Sequence, residues 1–335
     1  MQENSMQTAK KRILTGDRTT GNLHLGHYVG SLKSRVELQD TYDTFILLAD
    51  IQALTTHFEH PELLYESIYN VTIDNLSVGL DPGKVTIVQQ SAVKSIAEMT
   101  VFYSMLISVN ALRHNPTIKT EAKNYGYSEL SYGFLGYPVS QAADITFCNA
   151  DLVPVGEDQV PHIELSRKIV RKFNALYGTQ IVEPQAKLST VPRLAGLDGN
   201  AKMGKSLGNA IYLSDTAKEV AQKVSKAVTD PARVTIDIPG TPEICNVGKY
   251  HKIFTPDEAD NIWEMCRNAT IGCVACKKRL TQSLNTLLDP MRERRAYYES
   301  HRDEVKDIIV SGTEKASAIG DAQVDTMRKA MHLVI

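Results

Sequence analysis

Four short apolar runs, KRILTG at 11–16, TFILLAD at 44–50, KVTIVQQS at 84–91 and DLVPVG at 151–156, alternate with segments of helical periodicity at roughly 25–40, 61–80, 95–112 and 161–177. In the second helical segment LLYESIYNVTIDNL repeats apolar residues at three-to-four spacing, the stripe a helix needs to bury one face. Strands that alternate with helices predict a parallel α/β sheet, and ligands of such sheets lie at the carboxyl ends of the strands. The turns that follow these runs are therefore where a site is expected.

Strand signals stop after about residue 210, where TAKEVAQKVSKAV, EADNIWEMC, CKKRLTQSLNTLLDPMRERRAYYESH and DAQVDTMRKAMHLV all have amphipathic helical spacing. DPARVTIDIPGTPEICNVG, rich in Pro and Gly, marks a connection between them. Two units are expected, an α/β unit over 1–208 and a helical unit over 209–335, the last helix packing back on the first unit. The longest apolar stretch, TFILLADIQALTT, is short and carries Asp50, and the first residues have no apolar run, so a cytoplasmic protein with no membrane segment is expected. With 37 basic against 39 acidic residues the net charge is −2, so any polyanion must be met by a local patch.

Such a patch has two candidate halves. In TGNLHLGHYVGSL, Gly21 and Gly26 allow a close backbone approach to a phosphate, and the helix that follows offers unpaired N–H groups. Spacing of three places His24 and His27 on one side of its first turn, where they would donate to a phosphate without competing for the chain's own hydrogen bonds. Neither a dinucleotide fingerprint nor a Walker loop is present here. In AKMGKSLGN, Lys202, Lys205 and Ser206 sit in a loop interrupted by Gly204 and Gly208, and two mobile ammonium groups suit a leaving pyrophosphate. Together the two motifs are far more specific than either alone.

HLGH (His24 to His27) and KMGKS (Lys202 to Ser206) resemble the HIGH and KMSKS signatures of class I aminoacyl-tRNA synthetases. GYPVSQAADI and VPVGEDQVPHIEL narrow the resemblance to tryptophanyl-tRNA synthetases, and it runs from Gly16 to the C-terminal helix. The resemblance implies a Rossmann-type catalytic domain followed by a smaller α-helical anticodon-binding domain, acting as a homodimer. It also implies the reaction: ATP and L-tryptophan give an enzyme-bound adenylate and pyrophosphate, and the aminoacyl group then passes to tRNA(Trp). His24, His27, Lys202 and Lys205 would be catalytic, with Mg²⁺ bridging the phosphates. Arg18, Thr20, Gly26, Gly156, Asp158, Met203 and Ser206 would complete the ATP site. Tyr137, Gln141 and Gln159 would hold the amino acid, the first two on one face of a helix that begins after Pro138. Asp144 would accept the indole N–H, and a carboxylate left unpaired by the wrong side chain discriminates more strongly than shape alone. Three positions depart from the familiar bacterial pattern: Gly204 for serine, Gln52 for histidine and Arg18 for glutamine.

Of five cysteines, four fall within 32 residues as C-x20-C-x6-C-x2-C: Cys245, Cys266, Cys273 and Cys276. Four thiolates with one C-x-x-C pair suit either tetrahedral zinc or an iron–sulfur cluster. The pattern is similar to a subset of tryptophanyl-tRNA synthetases with a [4Fe-4S] cluster, in which the first spacing is slightly longer, and zinc stays open as the alternative. Lys277, Lys278 and Arg279, then Arg292, Arg294 and Arg295 with Tyr297 and Tyr298, are candidates for gripping RNA. A non-catalytic RNA-binding or regulatory relative, motivated by Gly204 and Gln52, is the competing hypothesis.

Overall fold

The computed structural model describes residues 10–188, 194–201 and 203–334, apart from the side chains of Asp158 and Ser206. Its sheet holds five parallel strands: β1 (Arg12–Arg18), β2 (Asp43–Ala49), β3 (Val85–Gln89), β4 (Leu152–Val155) and β5 (Gln185–Leu188), in the order β3-β2-β1-β4-β5. This is the Rossmann-type α/β architecture, and the order reverses between β1 and β4. β1 runs in register with β2 along its whole length, from Arg12 opposite Asp43 to Arg18 opposite Ala49. It meets β4 only where Ile13 stands opposite Leu152. Beyond that point the two strands separate, which opens a crevice at their carboxyl ends.

The first βα turn leads into α1 (Leu25–His27), a π-helical turn at Tyr28–Leu32 and α2 (Lys33–Leu38). The helices α3 (Asp50–His57), α4 (Glu62–Ser77), α5 (Lys94–Ser104), α6 (Val109–Arg113), α7 (Pro116–Tyr125), α8 (Tyr132–Thr146) and α9 (Val160–Tyr177) complete this half. The period of two along β2 sorts its side chains onto two cores. Phe45 and Leu47 join residues of α5, α8 and α9 on one face. Ile46 and Leu48 join Val71, Ile73 and Leu76 of α4 on the other.

After residue 208 follow α10 (Ala217–Ser225), α11 (Asn246–Phe254), α12 (Pro256–Arg267), α13 (Cys273–Ser300) and α14 (Arg302–Ala330). Leu280, Leu284, Leu288 and Met291, one stripe of α13, are buried in the same cluster as Ile46 and Leu48. The helical half thus shares a core with the sheet. α14 lies along β3, the edge strand: Gln89 N–H donates to Thr313 Oγ1 at 3.0 Å and Lys315 Nζ to Thr86 Oγ1 at 2.9 Å. A Cβ on Gly312 would fall 2.1 Å from the Ile87 carbonyl oxygen, so only glycine lets the helix press this closely on the strand. No helix among the described residues is long and apolar enough to cross a membrane.

Some elements differ from the sequence expectations. The segment 95–112 is two helices, α5 and α6, with Ser108 capping the second through Ala111 N–H. β5 reads QAKL, too short and too polar to stand out as an apolar run. α8 begins at Tyr132, where Ser131 caps it through Phe134 N–H, and Pro138 lies inside it. Pro138 lacks the N–H that would bond back one turn, yet its fixed φ is helical, so a buried helix packed on both sides tolerates it.

Candidate active site

The turn after β1 is built on its own histidines. His24, in extended conformation, is the N-cap of α1, and its Nδ1 accepts from Gly26 N–H at 3.1 Å. His27 Nδ1 accepts from His24 N–H at 3.1 Å, so two imidazoles form the reciprocal capping box usually made by Ser or Thr with Glu. The expectation that these rings leave the chain's own hydrogen bonds alone is corrected here. Their Nδ1 atoms satisfy helix-start N–H groups, and that places the proton of each neutral ring on Nε2, the donor side. The rings lie 3.9 Å apart between centroids. Gly26 is required for a reason sharper than phosphate access: a Cβ there would fall 2.8 Å from His24 Cε1. Thr20 N–H closes the preceding turn on the Arg18 carbonyl, and Gly21 takes a φ of 100°, a left-handed backbone.

The second motif lies against the first. Met203 is buried, with its Cβ 3.6 Å from where Gly26 would carry one. Gly204 N–H donates to Asn209 Oδ1. Lys205 reaches back across the turn and donates from Nζ to the Gly21 carbonyl at 2.6 Å. Burial lowers its ammonium to about 8, against the pull of the Asp17 and Asp74 carboxylates. Lys202 lies outside the described residues, as do the side chains of Asp158 and Ser206.

Between the separating ends of β1 and β4 opens a cleft of about 360 Å³. Arg18, Tyr137, Gln141, Asp144, Gly156 and Gln159 all line it, so the structure gathers these six expected residues on one cavity. His24, His27, Gly26, Met203 and Lys205 are not among its walls. Asp17 and Arg18, which line the cleft, act electrostatically on Lys205, and Asp17 also feels His27.

Asp144 is 2% exposed, and burial pushes its carboxyl up to about 7; a hydrogen bond from Gln90 Nε2 at 2.7 Å draws it down and the Asp50 charge pushes it further up. Gln141 Oε1 is buried and accepts no hydrogen bond. A buried amide oxygen without a donor costs free energy that a ligand ammonium recovers. The Tyr137 hydroxyl shares a hydrogen bond with His162 Nε2 at 3.0 Å, and burial together with Glu121 holds the phenol protonated. Arg18 donates to Thr56 Oγ1 while its Nε stays buried without a partner.

Other residues of the site escaped the sequence reading. Arg35, 3% exposed, pairs with Asp17 at 2.6 Å and braces the end of β1. Asp74 accepts from Leu23 N–H at 2.7 Å and pairs with Arg295 of α13, which ties the HLGH turn to the helical half. Gln90 directly follows β3, and that position was its one sequence signal. The cleft thus offers a mixed wall of apolar side chains and polar groups, with a buried carboxylate, an unpaired amide oxygen and a guanidinium, and imidazoles and an ammonium on the flank.

The arginines of α13 are corrected as RNA grips. Arg295 is buried against Asp74, Arg294 Nε donates to the Ser77 carbonyl, and Arg292 Nε donates to the Asp215 carbonyl. They clamp the helix to its neighbours. The four cysteines are unbridged, and after burial the thiols of Cys245, Cys266 and Cys273 push the Cys276 thiol up to about 12. The four therefore lie within each other's field. Arg233 Nη1 donates to Cys266 Sγ at 3.4 Å, and a Cβ on Gly240 would fall 2.6 Å from that sulfur. Among the described residues no three His, Cys, Asp or Glu side chains are grouped so that they could hold a metal ion.

The profile of the family described as tRNA synthetases class I (W and Y) matches residues 6–289. The tryptophan–tRNA ligase of Streptococcus mutans is 48% identical over 334 residues, spanning 96% of this chain and 98% of its own. That of Streptococcus agalactiae serotype V is 45% identical, over 97% and 98%. Among solved structures, tryptophanyl-tRNA synthetase from Campylobacter jejuni, complexed with ADP and tryptophan, superposes with a TM-score of 0.86 at 28% identity, over 96% of this chain and 99% of that one. The enzyme from Mycoplasma pneumoniae superposes with a TM-score of 0.80 at 25% identity, over 97% and 98%. With this fold, this cleft and this likeness along its whole length, the chain belongs to the class I tRNA synthetases of the tryptophan and tyrosine family, on the tryptophan–tRNA ligase branch.

Proposed function

We propose that this chain activates L-tryptophan with ATP and transfers it to tRNA(Trp). The single observation that carries the choice of amino acid is Asp144, a carboxylate 2% exposed that lines the cleft beside Phe134, Ile145 and Val153. An indole N–H pairs it; a phenylalanine side chain leaves it unpaired and costs the full desolvation penalty. Gln141 Oε1 and the Tyr137 hydroxyl would receive the α-ammonium, with Gln159 beside them. Arg18 would face the carboxylate and the α-phosphate.

In the first step a tryptophan carboxylate oxygen attacks the α-phosphorus of ATP, the bond to the bridging oxygen breaks, and pyrophosphate leaves with the electron pair. The Nε2–H groups of His24 and His27 would donate to phosphate oxygens as charge grows on them, and Lys205 and Lys202 would follow the β and γ phosphates. Thr20, Gly26, Gly156, Asp158, Met203 and Ser206 would shape the nucleotide site, and Mg²⁺ would enter with the nucleotide. No side chain attacks the substrate, so rate comes from positioning and charge.

Residues 1–208 would carry activation and 209–335 the reading of tRNA. The chain would act as a homodimer. Cys245, Cys266, Cys273 and Cys276 would hold a [4Fe-4S] cluster, with zinc as the alternative occupant of four thiolates. Arg233 offsets its thiolate charge.

Amino-acid-dependent exchange of labelled pyrophosphate into ATP tests the main claim on one preparation. Exchange with tryptophan, and not with tyrosine or phenylalanine, is the expected result. Exchange with tyrosine would overturn the pocket assignment, and no exchange with any of them would favour the non-catalytic relative.

A further inference from the structure

Asp144 does not face the cleft alone. Gln90, 1% exposed in the turn Gln90–Ala92 after β3, is pinned at both ends of its amide. Its Oε1 accepts from the backbone N–H of Gln52, in the first turn of α3, at 3.1 Å. Its Nε2 donates to Asp144 Oδ1 on α8 at 2.7 Å. An amide has one acceptor end and one donor end. Because the Gln52 N–H needs the acceptor, the donor end has to meet Asp144. Gln90 itself is not part of the cleft wall, whereas Gln52 and Asp144 both are.

We propose that Gln90 is a positioning residue for amino-acid specificity: its amide occupies one oxygen of Asp144 and turns the other toward the cleft as an acceptor for the indole N–H. A carboxyl group beside an apolar slot has two ways to satisfy itself, as a carboxylate that accepts or as an acid whose O–H donates. Only the first recognises an N–H donor. A donor fixed on Oδ1 favours the ionised form and sets the plane of the group, so selectivity belongs to the pair. The tie to Gln52 adds a geometric consequence. The acceptor of the slot is held in place from the end of β2 and the end of β3 together, so the two strand ends cannot shift apart without moving Asp144.

This inference rests on the tryptophan reading above, and its test separates the two. The probe is the benzothiophene analogue of tryptophan, in which sulfur replaces the indole N–H, compared with tryptophan by pyrophosphate exchange in the full-length protein. The measured quantity is the ratio of kcat/KM for tryptophan to that for the analogue. Gln90→Glu keeps the shape and the acceptor for Gln52 but loses the donor, and Gln90→Met loses both. Each is expected to lower the ratio about tenfold or more, mainly through the tryptophan value. In an Asp144→Ala background the same substitutions should leave the ratio unchanged, because nothing remains for Gln90 to orient. Equal losses for tryptophan and the analogue would make Gln90 mere packing and overturn the proposal, as would an undiminished Gln90 effect in the Asp144→Ala background. If Gln90→Met fails to fold, the near-isosteric Gln90→Glu decides. Absence of tryptophan-dependent exchange in the unsubstituted protein would overturn both this inference and the functional reading.

Discussion

At the scale of single residues, burial shifts two groups of the site toward neutrality in opposite directions, a carboxyl upward and an ammonium downward. Asp144 is raised to about 7 by burial, so its accepting carboxylate form grows as pH climbs through that value. Lys205 is lowered to about 8 by burial, so the ammonium form proposed to meet the phosphates is lost as pH climbs further. The expected kcat/KM for tryptophan activation is a bell with limbs near 7 and 8. Lys205→Arg keeps a cation far above this range, so the alkaline limb should vanish and the acid limb stay. A pH profile of pyrophosphate exchange checks this, and an alkaline limb that survives the substitution removes Lys205 from the role. Asp144 and Lys205 were named from their motifs. Gln90, Arg35 and Asp74 were not, because a buried polar side chain announces itself only through the partner that a distant segment brings to it.

At the scale of elements, the joint between α13 and the HLGH turn is the most exposed to failure. Asp74 on α4 is fully buried; burial raises its carboxyl to about 6, against the Arg295 charge and the Leu23 N–H. Removing one partner of a buried pair leaves an uncompensated charge. Arg295→Met should therefore destabilise the protein by about 3–5 kcal/mol near pH 8, and Asp74→Asn combined with it should recover much of that loss. The sign of the pH effect follows from the raised value. Below about 6 the Asp74 carboxyl is already neutral, so the cost of losing Arg295 should shrink as pH falls from 8 to 5. Urea unfolding of the two variants at both pH values measures it, and a cost independent of pH would show that Arg295 acts through packing alone. The helical spacing of α13 was legible in its sequence. That three of its arginines turn inward was not, because a run of charge reads the same whether it faces water or a buried carboxylate.

At the scale of the whole molecule, four cysteines from the start of α11, α12 and the first turn of α13 share one corner of the helical half. Anaerobically purified protein should be brown, with iron and sulfide each near four per chain from the stoichiometry of the cluster. Zinc without sulfide would sink the cluster. Removal of a bound metal should loosen the link from Arg233 to α12 and to the turn ahead of α13, since its Nη2 donates to the Ile236 and Ile271 carbonyls while Nη1 faces Cys266. α14 closes the other end by covering the edge strand β3, which would otherwise present unpaired backbone groups to a second chain.

The sequence by itself determined the α/β class, four of the five strands and most of the long helices, because hydrophobic periodicity is local and each run of residues carries its own. It also pointed to where a site would lie, since HLGH, KMGKS and GYPVSQAADI are contiguous and each can be picked out as a motif. Tertiary structure alone decided the short strand QAKL, the start of α8 ahead of Pro138, the histidines' service to their own backbone, and the pairing of Gln90 with Asp144. Each of these depends on burial or on a partner more than thirty residues away, or, for the histidines, on which way a ring turns. None of those is written in the order of neighbouring residues.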